Sequence, residues 1–161
     1  MDTVADAFHR TLSTRARTRP GTRMLSRTAG YALHATVAIA EMERSGGPVR
    51  AAEVAAALDI PANYLAKILQ ALAREEILVS ERGRTGGFRL ARDPASIRLV
   101  EVVGGFDTLG PQRQCLLGRG TCSDVGGCPA HREWGEASAP AFRFFETRTV
   151  ADLMDGHETP P

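Results

Sequence analysis

Residues 51–74, AAEVAAALDIPANYLAKILQALAR, decide how this chain folds. Ala51 to Leu58 is Ala-rich, with Val54 and Leu58 on one helical face. Asp59-Ile60 breaks that helix, and Pro61, at a favoured first-turn position, opens a second one. There Leu65, Ile68, Leu69 and Leu72 recur at i, i+3, i+4 and i+7, which leaves Asn63, Lys67, Gln70 and Arg74 on the other faces. Two short helices joined by a tight turn predict a helix-turn-helix.

Working outward, the apolar residues from Ser26 to Glu43 recur with helical period and stop at Ser45-Gly46-Gly47-Pro48. On the other side, Ile77-Leu78-Val79 reads as a strand, Ser80 to Gly87 as a Gly-rich turn, and Phe88-Arg89-Leu90 as the returning strand. Ser96 is expected to cap a helix over Ile97, Val100 and Val103 that ends at Gly104-Gly105. The Gly-rich stretch that follows has no periodicity and reads as a long loop, a length that in compact domains goes with function or disorder. A last helix carries His131, Trp134, Ser138, Ala141 and Phe145 as a stripe, with a kink expected at Pro140, and Thr149 with Asp152 resembles a capping box. The expected fold is mainly α: a winged helix-turn-helix domain with a two-stranded wing, a cysteine-bearing loop and a long C-terminal dimerisation helix. Its expected divisions are an Arg-rich arm or misplaced start over 1–23, the winged domain over 24–105, the loop over 106–128, the dimerisation helix and a short terminal helix over 129–155, and a tail over 156–161.

Composition narrows the function. Of the 161 residues, 43% are hydrophobic and 24% charged, which is ordinary for a globular chain. The net charge of +1 hides an uneven split. Residues 1–100 hold fifteen Arg or Lys against ten Asp or Glu, whereas residues 101–161 hold five against nine, so the basic part points to a polyanion. No apolar run is long enough to span a membrane, and no signal peptide is evident, so the expected compartment is the cytoplasm.

Two constellations carry chemistry. Arg82, Arg84, Arg89, Arg92 and Arg98 cluster on and beside the Gly-rich turn, with Asp93 the single acid among them. Phosphates call for that charge density, and a slim Arg on a glycine turn fits the minor groove while a helix fills the major groove. The second is Cys115, Cys122, Cys128 and His131, a possible four-ligand set of three thiolates and an imidazole. Wide spacing around a Gly-rich loop suits an iron-sulfur cluster, while zinc or unliganded thiols remain the alternatives. No phosphate-binding loop, nucleophile elbow or paired catalytic carboxylates occur, so catalysis is not expected.

The string LVSERGRTGGFRLAR from Leu78, preceded by IPANYLAKIL from Ile60 and followed by three spaced cysteines, resembles the Rrf2 family of bacterial transcription regulators, the IscR and NsrR group. The resemblance covers about Met24 to Asp155. It implies a homodimeric regulator, expected to be a repressor, that binds a double-stranded DNA operator and takes no small-molecule substrate. Asn63, Tyr64 and Lys67 would approach bases or phosphates in the major groove, and Arg82 and Arg84 would serve the wing, with Arg82 in the minor groove. The last long helix of each chain would pack on its mate. His131 matches the histidine that completes the cluster site in the IscR type, so [2Fe-2S] is favoured over [4Fe-4S].

Departures from the family pattern are local. Ala66 takes a recognition-helix position that is polar in many members, and the first cysteine interval is one residue longer than is common. Gly30 stands where some members supply a ligating carboxylate, which leaves Asp107 and Asp124 as substitute ligands for His131. The implied signal is nitric oxide, redox state or cluster and iron supply. A cluster-free thiol redox sensor or a zinc-stabilised interaction module is the alternative.

Overall fold

The computed structural model describes residues 25–83, 86–109 and 129–154; the arm over 1–23, most of the cysteine loop and the tail lie outside them. Helix α1 spans Arg27–Glu43. It starts where Ser26, in extended backbone, accepts the Ala29 amide at 3.1 Å. From Ala35 to Ala40 every residue is buried, so α1 is the central helix and packs against the other elements of the winged domain. Thr36, the one polar residue in that run, donates to the Ala32 carbonyl at 2.8 Å, which offsets the cost of burying its hydroxyl.

Helix α2 (Ala51–Leu58) ends at Asp59, whose φ of 52° reverses the chain and lets the Ile60 amide bond back to the Ala55 carbonyl at 3.0 Å. Helix α3 (Ala62–Arg74) then leaves in a new direction, with Pro61 as its N-cap rather than its first residue. Leu65, Ile68, Leu69 and Leu72 are each at most 2% exposed, so the apolar stripe read from the sequence is the face that holds α3 to the core. The structure is thus the expected helix-turn-helix.

Strands β1 (Leu78–Glu81) and β2 (Gly87–Leu90) form the antiparallel wing, with Leu78 opposite Leu90 and Glu81 opposite Gly87. β1 reaches two residues closer to the tip than the sequence reading, because Ser80 and Glu81 find partners in Phe88 and Gly87. Val49 adds an isolated antiparallel bridge to β2 through two 2.8 Å bonds with Phe88. That approach requires glycine next to Phe88: a Cβ on Gly87 would sit 2.5 Å from the Val49 carbonyl oxygen.

Helix α4 corrects the sequence reading. It spans Leu99–Gly104, and Ser96 belongs to a preceding 3-10 turn, Pro94–Ser96, instead of capping it. The cap is made at Arg98, whose amide donates to Glu101 Oε2 at 2.9 Å. Ile97 is extended because its carbonyl accepts the Val150 amide at 2.9 Å, while the Leu99 amide donates to Arg148 at 2.9 Å. This pairing across some fifty residues of sequence overrides the local helical period.

Helix α5 (His131–Thr147) contains Pro140 and packs on α4. Beyond it, Thr149 and Asp152 exchange hydrogen bonds of 2.7 to 3.4 Å, as the capping-box reading expected. Within α5 only Phe145 is buried. No helix among the described residues is long and apolar enough to cross a membrane.

Candidate nucleic-acid interface

With α3 fixed by its apolar stripe, the outward side of its first two turns is set. Ala62, Asn63, Tyr64, Lys67 and Gln70 are exposed, and Ala66 is half-buried between them. Asn63 and Lys67 lie at i and i+4 and therefore project together. Neither makes a side-chain hydrogen bond or ion pair among the described residues. Gln70 extends the same polar row one turn further, at a position the site assignment from sequence passed over.

Tyr64 behaves differently. Its hydroxyl lies 2.6 Å from Thr28 Oγ1, and its ring meets Tyr31 edge-on with centroids 6.0 Å apart. Both partners stand in the first turn and a half of α1, so Tyr64 ties the recognition helix to the start of the central helix. That start is held from another side as well, since the Ser26 amide donates to Asp107 Oδ2 at 2.6 Å. Asp107, a suggested substitute ligand, thus anchors α1 just before the segment that bears the cysteines. Neither link is legible in the sequence, where the partners stand 36 and 81 residues apart.

The arginines of the wing sort into two groups. Arg89 pairs with Glu81 at 2.6 Å across the hairpin, and Arg92 and Arg98 pair with Glu101 at 2.8 and 3.4 Å. Burial alone would raise the Glu101 carboxyl, but hydrogen bonds from Arg92 and from the Arg98 backbone, with the Arg92 charge, hold it below its ordinary value. These three arginines are engaged by the protein itself. Arg82 is exposed at the end of β1, beside Gly83 with its φ of 115°, and has no side-chain partner among the described residues. Arg84 lies outside the described residues.

Of the proposed ligand set, His131 opens α5 and is half-buried, whereas Cys115, Cys122 and Cys128 lie outside the described residues, as does Asp124. Among the described residues no group of three or more His, Cys, Asp or Glu is disposed to hold a metal. One turn beyond His131, the Trp134 indole Nε1 is buried with no hydrogen-bond partner among the described residues. His34 is exposed on α1, and desolvation by its surroundings lowers its pKa from 6.5.

Residues 25–156 match the sequence profile of the Rrf2 family, described as iron-dependent transcriptional regulators. Among curated proteins, an Aquifex aeolicus protein assigned as an HTH-type transcriptional regulator is 30% identical over 112 residues, 68% of this chain and 78% of that one. The HTH-type transcriptional regulator IscR of Escherichia coli is 28% identical over 128 residues, 80% of this chain and 78% of that one. Among solved structures, CymR, the global cysteine regulator of B. subtilis, superposes with a TM-score of 0.69 at 20% identity, covering 84% of this chain and 99% of its own. T. potens IscR gives 0.65 at 17% identity, covering 87% and 95%. At such identities these two structures speak for the fold alone.

Proposed function

The chain belongs to the Rrf2 family of transcriptional regulators, which are DNA-binding winged-helix proteins rather than enzymes, and from that premise we propose a homodimeric repressor whose iron-sulfur cluster governs operator affinity. The observation that carries the DNA half is the exposed polar row on α3, Asn63 and Lys67 without side-chain partners among the described residues, together with Arg82, which likewise has none among them. Asn63 and Lys67 would read base edges or phosphates in the major groove, Tyr64 would be oriented there by Thr28, and Arg82, with Arg84, would enter the minor groove.

Cys115, Cys122, Cys128 and His131 would hold the cluster, with [2Fe-2S] favoured over [4Fe-4S] by the imidazole. The donor chemistry fits: three thiolates and one nitrogen complete a four-ligand set, and the Trp134 N–H, a turn past His131, has no acceptor among the described residues and could donate to a cluster sulfur. When bound, the group supplies a centre that nitric oxide, redox change or cluster shortage can alter. His131 would ligate as the neutral imidazole. Because α5 begins at His131 and Asp107 anchors the start of α1, a change in the segment between them would shift the balance between arrangements of the winged domains.

A second protomer is expected on α5. Phe144 is 45% exposed, and Trp134, Ala141 and Phe142 are only half-buried, an apolar flank that a mate would cover.

Anaerobic purification tests the cluster. Brown protein with iron and acid-labile sulfide, lost in Cys115→Ala, Cys122→Ala or Cys128→Ala and labile in His131→Ala, is the expected result. Colourless protein with stoichiometric zinc, or with thiols alone, would replace it with the zinc-module or thiol-sensor reading. For DNA, Arg82→Ala should weaken binding to a duplex covering the gene's own upstream region and flatten its salt dependence; unchanged affinity and slope would remove Arg82 from the interface.

A further inference from the structure

Asp107 is held to the end of α4 before it holds anything else. Its amide and that of Phe106 both donate to the Val103 carbonyl at 2.9 Å, and Val103 is fully buried. The carboxylate is thereby placed relative to α4, which itself packs on α1 and α5. From there Oδ2 accepts the Ser26 amide at 2.6 Å. Ser26 is committed on its other side as well, since its carbonyl accepts the Gly30 amide at 3.0 Å and its hydroxyl the Ala29 amide at 3.1 Å. The first turn of α1 contains no acidic residue, so Asp107 supplies, across 81 positions of sequence, the negative charge that a helix N-terminus favours. Thr28, inside that turn, then meets the Tyr64 hydroxyl at 2.6 Å.

The recognition helix depends on this contact at one end. Its apolar stripe starts at Leu65, and Pro61, Ala62, Asn63 and Tyr64 ahead of it are all exposed. In that first turn Tyr64 supplies the contacts to the rest of the fold, through Thr28 and through the edge-on ring of Tyr31. Apolar packing is non-directional and settles which face of α3 points inward, whereas a hydrogen bond demands a narrow range of distance and angle.

We propose that Asp107 is a positioning residue for DNA binding: through Ser26 and Thr28 it fixes Tyr64, and with it the first turn of α3 that carries Asn63. The recognition helix is then aligned to α4 and not by its apolar stripe alone. Hydrogen bonds to base edges tolerate little displacement of the groups that make them. A carboxylate just past the end of α4 therefore sets operator affinity from outside the polar row of α3. This inference rests on the DNA-binding reading above but not on the cluster.

The test uses full-length variants titrated onto a duplex covering the gene's own upstream region, at a temperature where circular dichroism shows each one folded. Asp107→Ala removes the acceptor and should bind about threefold to tenfold more weakly, the worth of one hydrogen bond, while Asp107→Asn, which keeps an acceptor, should recover most of that loss. Ser26→Pro removes the donor instead, at a residue whose φ of −60° already suits proline, and should weaken binding at least as much as Asp107→Ala. Asp107→Ala combined with Tyr64→Phe should bind no more weakly than the weaker single variant, because both cut the same chain of contacts. Full affinity in Asp107→Ala and Ser26→Pro, or losses that add in the double variant, would overturn the proposal. Amide hydrogen exchange gives a readout that needs no DNA. Asp107→Ala should speed exchange about threefold to tenfold at Tyr64 and Leu65, whose amides bond to the Pro61 carbonyl in the first turn of α3, and leave Leu72 to Arg74 at their wild-type rates. Equal acceleration along the whole helix would mean a general loss of stability and would also overturn the positioning role. If the full chain binds neither this duplex nor a random one, it is DNA binding as such that fails, and the exchange pattern alone upholds or overturns the link from Asp107 to α3.

Discussion

Tyr64 shows how one side chain can join two elements of the fold and still stay open to solvent. Its hydroxyl is 2.6 Å from Thr28 Oγ1 while the residue stays 37% exposed, so in the proposed interface the bond would orient a group still open to DNA. Tyr64→Phe and Thr28→Val are each expected to weaken operator binding by about threefold to tenfold, the worth of one neutral hydrogen bond. The double variant should be no worse than either, and Thr28→Ser should restore the wild-type value. Fluorescence anisotropy reads all four; additive losses would mean that the two residues act separately. Glu101 gives a residue-scale pH dependence. Its carboxyl is held below the ordinary 4.5, so the ionised form stabilises the fold above that pH, and the contribution disappears as pH falls through the lower folded value. Glu101→Gln should cost about 0.5–1 kcal/mol at pH 7, a modest figure because the ion pairs are partly solvated. Denaturant midpoints of variant and wild type should begin to converge as pH falls below 4.5 and meet below the lower folded value; a gap that persists there would point to the cap rather than the charge.

At the scale of elements, the wing is held from its root. Leu90 donates its amide to Glu43 at 2.9 Å, Val49 pairs with Phe88, and Gly87 leaves room for that pairing. Gly87→Ala must push the Val49 backbone away, at an expected cost of about 1–3 kcal/mol. Chemical denaturation measures it, and an unchanged midpoint would show that Val49 yields freely. The helix-turn-helix was legible because α3 buries a stripe set by its own periodicity, Leu65, Ile68, Leu69 and Leu72. The start of α4 was not, because Ile97 answers to Val150, a partner that no local window contains. The charge cluster on the wing was equally ambiguous in sequence: Arg89, Arg92 and Arg98 look like Arg82 until their partners Glu81 and Glu101 are found in space.

For the whole molecule, α5 divides its aromatic residues between two roles. Phe145, expected from its stripe to face a second chain, is 7% exposed and belongs to the protomer's own core, whereas its neighbour Phe144 is 45% exposed. The two rings meet edge-on with centroids 5.6 Å apart. Phe145→Asp is therefore expected to unfold the protein, while Phe144→Asp should leave its circular dichroism intact and yield monomers. Sedimentation velocity at micromolar concentration distinguishes them; wild-type protein that sediments as a monomer would remove the dimer from the proposal.

What the sequence determined by itself is whatever local spacing can encode: the helical stripe of α3, the breaks at Asp59 and at Gly46-Gly47, the hairpin around its glycines, and the Cys115, Cys122, Cys128 and His131 spacing that suggests a ligand set. Tertiary structure decided which groups were already spent. It assigned Arg89, Arg92 and Arg98 to internal ion pairs, turned Phe145 inward, fastened Ile97 to Val150, and joined Thr28 to Tyr64 and Ser26 to Asp107. The physical reason is common to these cases. Periodicity fixes which face of an element is apolar, but the partner of a charge or a hydrogen-bonding group is chosen by distances that exist only once the elements have packed.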